Sequence, residues 1–97
     1  MSDNQTVWTI LWQHAAALDP PGAAFEIDDV VPAVRKALQV SDDQARRLIG
    51  GLLVELDRLP EGRRFFSREG NAVVPLAGFF RSKDQVTHPV DAYPYEL

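Results

Sequence analysis

The sequence has no cysteine. Disulfides, thiolate catalysis and cysteine-based zinc sites are therefore excluded. It also has no apolar run near the roughly 20 residues that a membrane-spanning helix needs. The N-terminus lacks the basic-then-apolar order of a secretory signal. These absences predict a cytoplasmic protein that does not engage a membrane. Reactive constellations are missing as well. There is no phosphate-binding loop, no cluster of metal ligands, and no serine, histidine and aspartate set at a supporting spacing. The expectation is a protein that is not an enzyme and carries no cofactor or metal.

What remains is 97 residues, 45% hydrophobic and 25% charged. That is ordinary globular composition for one small domain. The net charge of −4 is unevenly spread. Residues 1–43 hold Arg35 and Lys36 against seven acids. Residues 44–83 hold eight bases against four acids. Residues 84–97 hold three acids and no Lys or Arg. A segregated basic segment in an acidic chain points to a localised anionic partner.

The strongest single element is residues 41–59, SDDQARRLIGGLLVELDRL. Ala45, Leu48, Ile49, Leu52, Leu56 and Leu59 recur at spacings of three and four, which predicts one amphipathic helix. Ser41 and Gln44 stand in the capping-box arrangement. Asp42 and Asp43 complement the positive end of the helix dipole. On the opposite face lie Arg46, Arg47, Gly50, Gly51 and Val54. Two glycines inside a helix cost roughly 1 kcal/mol each relative to alanine. They permit another backbone to approach.

Upstream, Val7, Ile10, Leu11, His14, Ala15 and Leu18 predict a first helix over 4–18. Trp8 and Trp12 flank its stripe. They cover the edge of the core or form a homodimer interface, since aromatics are enriched at interfaces. His14 reads as a structural histidine. Asp19, Pro20, Pro21 and Gly22 make a turn, and residues 24–27 a short strand. A second helix runs from a cap at Asp28 or Asp29 to Leu38, with Pro32 in its first turn. Gln39, Val40 and Ser41 leave only a short link, as in a helix-turn-helix.

Downstream, 63–68 and 72–76 predict two strands joined at Glu69, Gly70 and Asn71. Adjacent Phe65 and Phe66 face opposite sides of that ribbon. From Asp84 the periodicity stops, so 84–97 reads as an extended C-terminal tail. Docking of that tail through Tyr93 and Tyr95, on its own or a neighbouring subunit, is the alternative. The fold class is α+β, mainly α with a small β-hairpin.

The element order is carried by AFEIDDVVPAVRKAL, QVS, SDDQARRLIGGLLVELDRL and RRFFSREGNAVVPL. It resembles the winged helix-turn-helix family over about residues 4–77. The resemblance implies a domain over 1–83 with three helices and a wing at 63–77. It also implies a DNA-binding transcriptional regulator. The third helix would enter the major groove of double-stranded DNA and the wing would touch the backbone. Carried over by position, Gln44, Arg46, Arg47 and Gly50 would face the groove. Arg63, Arg64 and Arg68 would be wing contacts. Asp42 and Asp43 depart from that pattern, because carboxylates repel phosphates. The second function to weigh is a protein-interaction module of the same fold that does not bind DNA. Its partner would be a protein lying on Val54 and the glycines.

Overall fold

A computed structural model describes residues 2–95. Among them are four α-helices and one three-stranded antiparallel sheet. The order is α1 (Asp3–Ala17), β1 (Phe25–Glu26), α2 (Ile27–Leu38), α3 (Asp42–Leu56), β2 (Phe66–Glu69), β3 (Ala72–Pro75) and α4 (Ala77–Ser82). A 3-10 turn follows at Pro89–Ala92. The α+β class predicted from sequence is the class observed. A fourth helix is added to the three expected.

Local chemistry explains most boundaries. Ser2 and Gln5 form a capping box at α1, and Ser41 and Gln44 form the predicted one at α3. Each exchange satisfies two backbone N–H groups that the first turn leaves without partners. The start of α2 differs from expectation. Neither Asp28 nor Asp29 is the cap; Glu26 holds that position. The Asp29 carboxylate instead accepts the Glu26 backbone N–H at 3.0 Å. Starting the helix at Ile27 moves Pro32 out of the first turn and into the interior. Proline has no N–H there to donate to the Asp28 carbonyl. Gln39 ends α2 in the left-handed region, with φ 56°.

The hairpin joins β2 to β3, pairing Phe66 with Pro75 and Glu69 with Ala72. Of Gly70 and Asn71 at its turn, only Gly70 adopts positive φ. β1 adds to the far side of β3, so the sheet order is β1-β3-β2. β3 ends at Pro75, although the Leu76 N–H still donates to the Phe65 carbonyl at 2.8 Å.

One core receives every layer. α1 contributes Val7, Trp8, Leu11 and Trp12, α2 Val30, Val31 and Val34, and α3 Ile49, Leu52, Leu53 and Leu56. Phe66 and Val73 enter from the sheet and Phe79 from α4. The Cα radius of gyration is 12.2 Å, close to that of a fully packed chain of this length.

The tryptophans correct one expectation. Trp8 is fully buried and Trp12 is 4% exposed, so neither is available as a dimer interface. The indoles face inward because the hairpin and the C-terminal segment cover them. Trp8 meets Phe65 at 5.1 Å, and Phe66 and Tyr93 each at 5.7 Å between centroids, in edge-to-face contacts. Its Nε1–H donates to the Pro89 carbonyl at 2.7 Å.

That bond also corrects the reading of 84–97 as an extended tail. Through Tyr95 the segment lies on the chain itself, by way of the tyrosines proposed as its alternative anchor. Glu96 and Leu97 fall outside the described residues. The Tyr95 hydroxyl donates to the Glu55 carbonyl at 2.7 Å, supplying a partner in the last turn of α3. Among the described residues no helix is long and apolar enough to cross a membrane.

Burial pushes the Tyr93 and Tyr95 phenols upward, with the Glu55 charge adding to the effect. The folded state thus favours the neutral phenol. The stabilisation is complete below the ordinary tyrosine range, about pH 10, and is lost as pH rises through the elevated folded-state values. An ultraviolet absorbance titration should place both midpoints above that of free tyrosine. Trp8 fluorescence should change over the same interval. Midpoints at the free value would mean that the segment is not docked in solution.

Candidate functional site

At 100° per residue, the face of α3 opposite its buried stripe is occupied by Asp43, Arg47, Gly50, Gly51 and Val54. Ala45, Ile49, Leu52, Leu53 and Leu56 are buried on the other side. Val54 is 53% exposed, one of two large exposed hydrophobic residues, with Phe80, among the described residues. A Cβ built on Gly51 would meet nothing within 4 Å. One built on Gly50 would meet only Arg68 Nη1, at 3.2 Å. The β2–β3 hairpin therefore reaches α3, and its Arg68 lies across the first glycine. The Arg68 guanidinium is steered there by its Nε–H, which donates to the Gly70 carbonyl at 2.8 Å.

The residues predicted to face DNA have different fates. Gln44 is exposed, but its side-chain oxygen accepts the Ser41 N–H at 3.2 Å. Its first role is capping. Arg46 turns away from the outward face. Its Nη1 sits 2.5 Å from Asp28 and its Nε 2.7 Å from Asp42. Its hydrogen bonds to the Asp42 carboxylate and then to that of Asp28 raise its already high pKa. Its positive charge is matched by two carboxylates. Arg47 is exposed and has no carboxylate partner among the described residues. The same holds for Arg68.

Arg63 and Arg64 diverge. Arg64 folds back, donating from Nε to the Leu59 carbonyl at 2.9 Å. Arg63 lines a cleft with Phe65, Gly78 and Arg81, where no residue of α3 contributes. Of the seven positions, Arg47, Gly50 and Arg68 come together. Arg46, Arg63 and Arg64 are drawn into other surroundings.

Two residues to which the sequence reading gave only local roles, a helix cap and a turn, link this region across elements. Asp28 accepts from Arg46 and, at 3.2 Å, from Asn71 Nδ2. Asn71 also donates to Glu26 at 3.1 Å. The hairpin turn, the start of α2 and the start of α3 thus share one polar network. Asp42 and Arg46 at spacing four were a legible pair. The contacts of Asp28 cross between elements and left no signal in spacing. No group of three or more His, Asp or Glu among the described residues could hold a metal ion.

Compared with known protein families, with curated proteins and with solved structures, the chain matches none of them. Its chemistry has to be read from its own surface.

Charge cancellation at Arg46 generates a prediction. Exposed pairs contribute little to stability, and asparagine at 28 keeps an oxygen that can accept from Asn71, so the double change Asp28→Asn and Asp42→Asn should lower the thermal midpoint slightly and leave the protein folded. It should expose the Arg46 charge and raise the salt needed to elute the protein from heparin. Unchanged elution would show that the carboxylates do not mask Arg46.

Proposed function

We propose that this chain is a winged helix-turn-helix domain whose third helix docks another protein. The element order α1-β1-α2-α3-β2-β3, with the hairpin lying beside α3, supports the fold assignment. The observation that carries the function is the fate of Arg46. At the leading end of α3, Asp28 and Asp42 take up its charge and Asp43 stands exposed beside it. A phosphate approaching there meets a net negative surface. One helical turn further on, Gly51 and Val54 form an open strip of small and apolar surface.

The partner best suited to this face is an amphipathic helix with acidic flanks. Its apolar stripe would cross α3 at Gly51, where a missing side chain allows close approach, and cover Val54. Its carboxylates would meet Arg47 and Arg68, which border the strip and have no carboxylate partner among the described residues. Helix-on-helix recognition of this kind is read through anchors at i, i+3, i+4 and i+7.

A specific observation keeps DNA as the second reading. Arg47 and Arg68 both lie near Gly50, and two guanidinium groups without carboxylate partners among the described residues also suit a phosphate backbone. Transcriptional regulation through duplex DNA rests on those two residues in place of the original seven.

Two variants separate these readings. Gly51→Leu meets no obstruction and replaces a poor helix former, so it should fold and gain up to about 1 kcal/mol. It should nonetheless obstruct the docking strip. Val54→Asp should repel an acidic partner. Peptides selected on the wild-type protein from a helical display library should carry an apolar stripe with Asp or Glu beside it. Both variants should bind those peptides at least about tenfold more weakly, the loss expected of an interface anchor. Selected peptides that bind both variants normally would overturn the docking reading. Duplex binding that falls linearly in log salt, and survives Val54→Asp, would establish DNA instead.

A further inference from the structure

A second feature lies away from α3. The loop leading into the hairpin and the short α4 enclose a cleft of about 350 Å³. Its lining is Arg63, Phe65, Gly78, Arg81, Ser82 and Gln85. The cleft exists because position 78 is glycine. The Gly78 N–H donates to the Arg64 carbonyl at 2.9 Å, and a Cβ there would stand 2.7 Å from that same oxygen. The loop can thus lie directly on α4, bringing Arg63 and Arg81 to one opening.

The lining is rich in donors and has no carboxylate. Arg63 and Arg81 have no carboxylate partner among the described residues. Arg81 is oriented by one hydrogen bond, from Nη2 to the Gly62 carbonyl. Its other N–H groups stay unassigned. Ser82 adds a hydroxyl and Gln85 an amide, each able to donate. Two like charges at one opening repel each other, and an anion between them reverses the sign of that interaction. Two guanidinium charges are balanced by a dianion. Arginine forks match the oxygens of phosphate in pairs. The volume is at the lower end for ligand clefts, roughly 300–1,000 Å³, which limits the organic group attached.

We propose that this cleft is a binding site for a phosphate dianion, either free or as the terminal group of a small phosphomonoester. The site does not rest on the reading of α3, because no residue of that helix lines it.

The test uses the full chain labelled with ¹⁵N. Inorganic phosphate is titrated at a pH where it is dianionic, against sodium chloride at matched ionic strength, and glycerol phosphate is titrated in parallel. Phosphate should shift the amides of Arg63, Gly78, Arg81, Ser82 and Gln85 saturably, with chloride leaving them in place. Tighter binding of glycerol phosphate would assign the site to an ester, and equal binding to phosphate itself. Arg63→Ala removes a side chain that makes no hydrogen bond in the structure, so it should fold. It should weaken phosphate about tenfold, as loss of a charge-assisted bond implies. Arg47→Ala should change nothing. Shifts reproduced by chloride, spread equally over Arg35 and Arg47, or indifferent to Arg63→Ala would overturn the site.

Discussion

Trp8 is the residue on which the other layers converge. It stands on α1, is fully buried, touches the rings of Trp12, Phe65, Phe66 and Tyr93, and donates to Pro89. A buried indole needs both apolar walls and a partner for its N–H. Here the walls come from the hairpin and the partner from the C-terminal segment. One side chain therefore obliges residues far apart in sequence to meet. Tyr95 then reaches the end of α3 and supplies a donor to it. A domain this small has little core to spare, and aromatic contacts from the C-terminal segment extend it.

The same arrangement decides which surface is left for function. α1 turns its tryptophans inward, α2 packs on both neighbouring helices, and the hairpin covers one flank of α3. The outward strip of α3 is what the fold leaves open. The basic excess of residues 44–83 does not become one continuous basic surface. Asp28 and Asp42 draw in Arg46, backbone carbonyls hold Arg64 and Arg81, and Arg63 opens toward α4. Arg47 and Arg68 remain beside the glycines, which favours a small acidic counterpart over a long run of phosphates.

Local chemistry was legible in the sequence. The Ser41 and Gln44 box, the stripe of α3 and the hairpin turn were readable because each is decided within a few residues. The short β1 was readable from its apolar residues between turn and helix. α4 was not, since six residues with glycine near the start show no helical period. Pro32 was misplaced because proline permits a first turn but does not require one. The burial of Trp8 and Trp12 could not be read from α1 alone; their cover arrives from residues 65–66 and 93. The candidate surface was legible as a meeting of Arg47, Gly50 and Arg68. It was misleading at Arg46, whose partner Asp28 belongs to another helix, and at Arg63, whose surroundings α4 creates.

The most direct test of Trp8 as the organising contact is hydrogen exchange on Trp8→Phe. Phenylalanine keeps an aromatic ring in the core but removes the donor to Pro89. The amides of Asp91 and Tyr93, which close the 3-10 turn, should exchange about tenfold faster, the equivalent of one net hydrogen bond. The amides of α2 should keep their protection relative to the global stability of the variant. Unchanged protection of Asp91 and Tyr93 would contradict the claim that Trp8 holds the C-terminal segment on the domain.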